Sequence, residues 1–217
     1  MDASYHRQIL AQALEGRVSP RALAAITRAN LDQDRLGGLF RPEFHFDDSL
    51  FDRALAYVEA CRRAAARAAD PAEAWAAFGR LSHGVQDFYA HSNYVRLWAD
   101  QQTLIPGEAD TDRAKLPPPS KINGLDAWLL KHPKLMSGRV YWPIEALWII
   151  PVLRPLVKAL TPRDAHAWMN LDAPSTGALF PYAIEAATQR TVAEFERTLA
   201  LIGETQGEAA MKRFLDQ

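Results

Sequence analysis

The most constraining feature of this sequence is the four-residue spacing of His83, Asp87 and His91 within the stretch 78–98. Residues four apart share one face of an α-helix, and Tyr94 falls on the same face if the helix continues. His83 and His91 then lie about 12 Å apart along the axis. This separation suits two metal ions, with Asp87 giving one carboxylate oxygen to each. Imidazole and carboxylate ligands favour zinc or a similar transition metal. The alternative is a polar helix face without metal.

The composition favours one all-α domain over residues 1–217. The chain is long enough for a sizeable core, and its 48 % hydrophobic and 24 % charged residues are ordinary for a soluble globular protein. Alanine is abundant, and no alternating strand pattern is visible. The net charge of −1 gives no electrostatic reason to expect nucleic acid as the main partner. A single cysteine excludes an internal disulfide and a cysteine-based zinc cluster.

The N-terminal residues do not show a basic segment followed by an apolar run, so no secretory signal is visible. Two interpretations stay open: a cytoplasmic chain, or a secreted or periplasmic chain whose leader has been removed.

Three pairs of a capping residue and a proline predict helix starts, because proline at the first helical position loses no hydrogen bond. These pairs are Ser19–Pro20, Asp70–Pro71 and Thr161–Pro162. The predicted helices cover about 4–15, 20–34, 49–69, 71–98, 125–131, 163–177, 179–202 and 208–215. Residues 100–121 are predicted to form a proline-rich loop.

Two segments resemble a known superfamily. The first is His83–x3–Asp87–x3–His91–Ser92–Asn93–Tyr94, and the second is Asn30–x3–Asp34 followed by Pro42–Glu43–Phe44–His45–Phe46–Asp47. They are similar to the signature of the zinc-dependent phospholipase C and S1/P1 nuclease superfamily, and most similar to its Het-C-like branch. In the nuclease and toxin branches the second histidine stands six residues after the aspartate, following a proline. The gap here is four residues.

The resemblance implies a helical bundle of the phospholipase C/P1 nuclease type with two or three zinc ions. The metal ligands that it implies are His6, Asp34, His45, His83, Asp87, His91, His166 and Asp172. The superfamily's last carboxylate position falls on Asn170, a weak zinc ligand, and Asp172 replaces it only if the helix ends near Asn170. The aspartates of the 45–48 segment are expected to cap the next helix, and His132 is expected to be an exposed bystander. Because Met1–Asp2 stands where the family has a zinc-binding tryptophan, the metal held there is expected to be weak or absent.

The function that this resemblance implies is a metal-dependent phosphodiesterase. It would hydrolyse glycerophospholipid headgroups as a phospholipase C does, through a zinc-bound hydroxide. Asp34 and Asp87 are the predicted catalytic residues, and Asp34 or Asp172 would orient the attacking water as general base. The alternatives are an S1/P1-type single-strand nuclease and a non-catalytic, metal-stabilised protein that binds a membrane or a partner.

The stretch 140–160 is apolar but is interrupted by Pro143, Pro151 and Pro155. Its longest apolar run, 146–153, is far short of the roughly 20 residues that span a bilayer. Buried helical pieces are the first interpretation. A lipid-facing lip is the alternative, because Trp142 and Trp148 suit a membrane interface.

Overall fold

The computed structural model describes residues 1–35, 38, 41–103 and 116–216. Across these residues the chain forms ten α-helices and no β-strand, which confirms the prediction of an all-α multi-helix domain. The helices are α1 (Ala3–Leu14), α2 (Pro20–Leu31), α3 (Pro42–His45), α4 (Phe51–Arg67), α5 (Pro71–His91), α6 (Tyr94–Thr103), α7 (Arg154–Leu160), α8 (His166–Met169), α9 (Phe180–Gln206) and α10 (Glu208–Leu215).

Helix α5 is the centre of the fold. It packs against α2, α4 and α9, and every side chain from Leu81 to His91 is buried. A helix that is buried on all sides is normally apolar on all sides. This segment instead carries His83, Asp87 and His91, so their polar atoms need partners from the surrounding helices.

Two of the three predicted cap–proline starts are confirmed. The Ser19 hydroxyl accepts a hydrogen bond from the Ala22 amide at 3.1 Å, and the Asp70 carboxylate accepts one from the Ala72 amide at 2.9 Å. The third start, at Thr161, is wrong. Its hydroxyl donates backwards to the Val157 carbonyl at 2.8 Å, so Thr161 ends α7.

The central helix does not continue to residue 98 as the sequence predicted. It ends at His91, Ser92 is extended, and Ser92 forms an isolated bridge with Ser137. Tyr94 therefore begins the separate helix α6, and its hydroxyl donates to the Asn123 carbonyl at 2.5 Å. The prediction that Tyr94 shares the face of the histidines is wrong, because the chain turns between the two helices.

Several elements of the C-terminal half are shorter than predicted, whereas α9 is longer. The expected helix 125–131 is only a 3-10 turn at Leu129–Lys131, and the expected helix 163–177 is limited to α8. The stretch 140–160 forms 3-10 turns at Ile144–Ile149 and Pro151–Leu153 before α7. Residues 104–115 of the predicted loop lie outside the described residues. In the described part of the chain, no helix has the length and apolarity to cross a bilayer.

The close contact between α2 and α5 gives a first prediction. A Cβ at Gly79 would lie 2.4 Å from the Ile26 carbonyl oxygen and 2.7 Å from the Ala29 Cβ. Gly79→Ala should therefore lower the free energy of unfolding by about 2 kcal/mol, because backbone atoms must move. Gly203→Ala is the matched control, since its new Cβ would meet the flexible Met211 Sδ. Urea denaturation compares the two, and an equal effect would contradict this account of the packing.

Candidate metal centre

Side chains from five segments of the chain converge at the buried C-terminal half of α5. His83, Asp87 and His91 come from α5 itself, and the other members come from elements distant in the sequence. These other members are His6 on α1, Asp34 in the 3-10 turn after α2, His45 on α3, Asp47 after it, His166 on α8 and Asp172 beyond α8. All eight ligands that the resemblance implied belong to this cluster, and Asp47 is a ninth member.

The first group contains Asp34, His45, His83 and Asp87, whose ligand atoms all lie within 4.8 Å of one another. Asp87 Oδ2 is 2.9 Å from His45 Nδ1 and 3.0 Å from His83 Nε2, and these nitrogens are 3.0 Å apart. Asp34 Oδ1 completes the group at 3.5 Å from His83 Nε2. Ligands of a tetrahedral zinc ion are roughly 3.3 Å apart, as its bond lengths of about 2.1 Å require. The spacing fits such an ion.

Both ring nitrogens of His45 face oxygen acceptors. His45 Nε2 lies 3.3 Å from the Gly38 carbonyl oxygen, and His45 Nδ1 lies 2.9 Å from the Asp87 carboxylate. An imidazole with one ring proton can donate to only one of these acceptors. In the tautomer with the proton on Nε2, Nδ1 presents a lone pair beside the carboxylate, and a metal ion can bind between these two atoms.

The second group contains Asp47, His91 and His166. Asp47 Oδ1 is 3.0 Å from His166 Nδ1 and 3.3 Å from His91 Nδ1. Asp172 lies on the other side of both rings, 3.1 Å from His91 Nε2 and 3.6 Å from His166 Nε2. Each imidazole is therefore placed between two carboxylates.

The second carboxylate oxygen of Asp87 faces a different set of atoms from the first. Asp87 Oδ1 is 2.8 Å from the Met1 amino group and 3.3 Å from His6 Nε2. His6 Nδ1 donates to Gln86 Oε1 at 2.6 Å, so in neutral His6 the Nε2 lone pair points at the carboxylate. Asn30 also donates to Gln86 Oε1, at 3.1 Å, which holds this amide in place. The two oxygens of Asp87 thus have the orientation that a bridging ligand needs, and the bridging role stays a prediction.

The charges in the cluster separate the histidines into two kinds. Burial lowers the pKa of His83 to about 4, although Asp87 opposes the shift, so His83 is neutral at pH 7. Burial also opposes the charge on His91, but Asp47 and Asp87 outweigh it and raise its pKa to about 9. The pKa of His166 is raised well above its ordinary value against burial, by Asp47 and Asp172. Without metal, the second group is therefore held together by imidazolium–carboxylate pairs.

Asp172 reaches the cluster because α8 is short. The helix ends at Met169, and the chain is extended at Asn170. The Leu171 amide donates to the Ala90 carbonyl at 2.7 Å, which ties this segment to the end of α5. The Asn170 amide group is directed to its own helix end, where it donates to the His166 carbonyl at 2.9 Å. Asp172 was expected to replace Asn170 only if the helix ended near Asn170, and the helix does end there.

The expectation that Asp47 and its neighbour cap the next helix is wrong. The cap position of α4 is Leu50, and no side chain caps the helix there. Asp48 instead accepts a hydrogen bond from the Val140 amide at 2.7 Å. Phe46 and Asp48 both have a positive φ of 56°, so the backbone turns sharply on either side of Asp47 and directs its carboxylate inward. A capping pattern in the sequence contains no signal of this turn.

His132 lies outside the cluster, as expected. Its ring packs against Trp128 with centroids 4.6 Å apart, and its Nδ1 accepts from the Lys134 amide.

A cleft of about 370 Å³ opens onto the cluster. Asp34, His45, Asp47, His91 and His166 lie along its polar side. Val140, Trp142 and Trp148 form an apolar wall, and Arg154 adds a positive charge. The cluster is therefore accessible from the surface on one side.

Fold and cluster together define an all-α domain with a buried set of histidines and aspartates. Residues 5–116 match the model of the VWA7 N-terminal domain family, and the chain belongs to this family. It is also similar to the human von Willebrand factor A domain-containing protein 7, with 38 % identity over 84 residues. The similar segment is 37 % of this chain and 9 % of the human protein, so the chain spans only a small part of that relative. No solved structure matches the chain.

This family assignment corrects the sequence-based identification. Membership of the phospholipase C/S1-P1 nuclease superfamily and its Het-C-like branch is wrong, and so are the hydrolase and phosphodiesterase functions inferred from it. The non-catalytic alternative gains no clear support from the family match either. The catalytic roles predicted for Asp34 and Asp87 depended on that reaction and have no support without it. The physical reason is that a four-residue His–Asp–His spacing describes a helix face, which different families can share.

The pKa of His91 gives a prediction for the metal-free protein. An unfolded histidine titrates near pH 6.5, whereas folded His91 keeps its proton up to about pH 9. Between these values the folded chain binds more protons than the unfolded one, so stability must fall as pH rises. The stabilisation is fully present below about pH 6.5 and is lost through pH 9, and we expect a loss on the order of 1–3 kcal/mol.

Urea denaturation in a chelator at pH 6.5 and pH 9 measures this loss. The pKa values of His166 and of the Met1 amino group are also raised in the folded protein, so these groups likewise make it less stable as the pH rises. His91→Gln should make the loss smaller, and His132→Ala should leave it unchanged. Equal or greater stability of the wild-type protein at pH 9 would contradict the charge assignment.

Proposed function

We propose that this domain binds transition-metal ions, one in each of the two groups, and that zinc is the best-suited ion. The observation that supports it most is the convergence of His45 Nδ1, His83 Nε2 and Asp87 Oδ2, at 2.9 to 3.0 Å from one another. Such close contacts between ligand atoms are favourable when they share one cation. Imidazole and carboxylate ligands without thiolate suit zinc.

Charge balance supports one divalent ion in each group. Asp34 and Asp87 supply two negative charges to the first group, next to the neutral His83. A divalent ion would neutralise this pair. Near the second group, Asp47 supplies one negative charge on the Nδ1 side of the two rings, and Asp172 supplies one on the Nε2 side. The pKa values of both carboxyls lie below the ordinary range although burial raises them. The causes are His166 and His91 for Asp47, and the Met1 amino group and His91 for Asp172. In the second group the ion would replace the protons on the two imidazoles, so binding should release protons.

The surrounding residues hold the ligands in fixed orientations, which a metal site requires. The His45 ring is oriented by the Gly38 carbonyl. His91 Nδ1 lies 3.0 Å from the His45 carbonyl oxygen, a contact that leaves His91 Nε2, beside Asp172, as the nitrogen free to bind a metal ion. His6 is oriented by Gln86, whose Nε2 donates to the Thr191 hydroxyl at 3.3 Å. Ligands that are ordered before metal arrives lose less conformational entropy on binding.

The metal content of the purified protein tests this proposal. We expect close to two zinc ions per chain after dialysis against micromolar zinc, measured by elemental analysis. Because a ligand that binds only the folded state stabilises it, chelation should lower the melting temperature. At free zinc about 1,000 times the dissociation constant, the stabilisation is about 4 kcal/mol per site. A zinc-free protein with an unchanged melting temperature would refute the proposal.

Two substitutions separate the ligands from a bystander. Asp87→Asn should lose more metal than His132→Ala, because Asp87 Oδ2 is a ligand atom of the first group and Oδ1 faces His6 and the Met1 amino group, whereas His132 lies outside the cluster. Asp34→Asn is a second test that spares the core, since its side chain is 38 % exposed. It should weaken zinc binding at the first group by about tenfold or more and leave the circular dichroism of the chelated protein unchanged. Equal metal content in all three variants would contradict the assignment.

A further inference from the structure

The segment from Trp142 to Leu160 exposes an unusual amount of apolar surface. Six of its large apolar side chains are exposed, and Val152 is exposed by 80 %. We name them the 142–160 ridge: Trp142, Leu147, Ile150, Val152, Leu156 and Leu160. Single exposed apolar residues are normal on a protein surface, but several in one short segment indicate a binding surface.

The ridge is separate from the interior face of the same segment. On α7, Val157 is fully buried, whereas Leu156 and Leu160 are about half exposed. Leu156 and Leu160 are four residues apart on α7 and therefore share one face of that helix, and Val152 lies in the 3-10 turn directly before it. Val157 therefore anchors α7 to the domain, and the leucines are left on the outer side.

Positive charges accompany the ridge. Arg139, Arg154, Lys158 and Arg163 lie in or next to the segment. The one acidic residue between positions 139 and 163, Glu145, is buried, and its carboxylate accepts hydrogen bonds from the Tyr141 and Ala167 amides at 2.6 Å. Within positions 142–160 the charged side chains that are not buried are thus Arg154 and Lys158, although the whole chain has a net charge of −1, and the flanking Arg139 has Asp48 and Asp164 nearby.

The cations are held beside aromatic rings. Arg154 lies over the Trp148 ring at 5.2 Å from its centroid, and Arg163 lies over Trp168 at 3.7 Å. Lys158 lies 5.7 Å from the centroid of Trp148 and 5.2 Å from that of Trp168. These contacts fix the positive groups at the border of the apolar side chains rather than leaving them in bulk solvent.

We propose that the 142–160 ridge binds the surface of an anionic lipid bilayer. The aliphatic side chains and Trp142 enter the boundary between headgroups and acyl chains, and the basic residues contact the lipid phosphates and carboxylates. Charge complementarity decides in favour of anionic lipid as the occupant. The ridge shares Trp142 with the cleft, but its binding does not need the metal.

Vesicle co-sedimentation tests the proposal. The 217-residue chain is mixed with vesicles of phosphatidylcholine alone or with 30 % phosphatidylserine. We expect at least tenfold tighter binding to the anionic vesicles at 50 mM salt and a marked loss at 500 mM, because salt screens the charges. The triple variant Val152→Ser, Leu156→Gln, Leu160→Gln should bind at least tenfold more weakly. Binding should be the same with zinc or chelator, which separates this result from the metal proposal.

Controls keep the result specific. Leu55→Gln changes an equally exposed leucine on α4 and should bind like the wild type. Val152→Glu, at the most exposed position, weakens binding without a risk to folding. Absence of binding to anionic vesicles overturns the proposal, and so does equal weakening by Leu55→Gln. If the ridge binds a protein but does not bind the vesicles, the proposal is overturned as well.

Discussion

The buried carboxylate of Asp87 is the constraint on which the rest of the structure depends. It lies in the C-terminal half of α5 without solvent exposure, and an ion in such a place is stable only with close partners. The partners come from the N-terminus, α1, α3 and α5, so these elements must pack together for the charge to be compensated. Although burial opposes ionisation, the Met1 amino group and the surrounding histidines keep the pKa of Asp87 well below its ordinary value.

When no metal is bound, the negative charges of the carboxylates are balanced differently in the two groups. In the second group, protons on His91 and His166 balance Asp47 and Asp172, whose carboxylates lie on both sides of the rings. In the first group, His83 is neutral and supplies no positive charge to Asp34 and Asp87. The first group therefore has the greater need of a cation, and we expect it to have the higher metal affinity.

The family match changes how the cluster is interpreted. Its region, residues 5–116, contains α5 and the first group, together with His6 and Asp47. His166 and Asp172 lie beyond it, so the second group is completed by a part of the chain that the family model does not cover. The His–Asp–His spacing is satisfied by any buried polar helix face. It therefore predicts how side chains are arranged and does not identify a reaction.

The sequence by itself determined the all-α class, the cap-initiated starts of α2 and α5 and the shared inward face of His83, Asp87 and His91. These features depend on local chemistry: the caps, the helical repeat and the lack of strand patterns. Only the tertiary structure decided that α5 stops at His91, that Asp47 points inward and that Asp172 reaches the cluster. Each of these depends on contacts between distant segments, such as the bridge from Ser92 to Ser137 and the bond from Leu171 to Ala90. No local pattern encodes such contacts, because their energy exists only when both segments are in place.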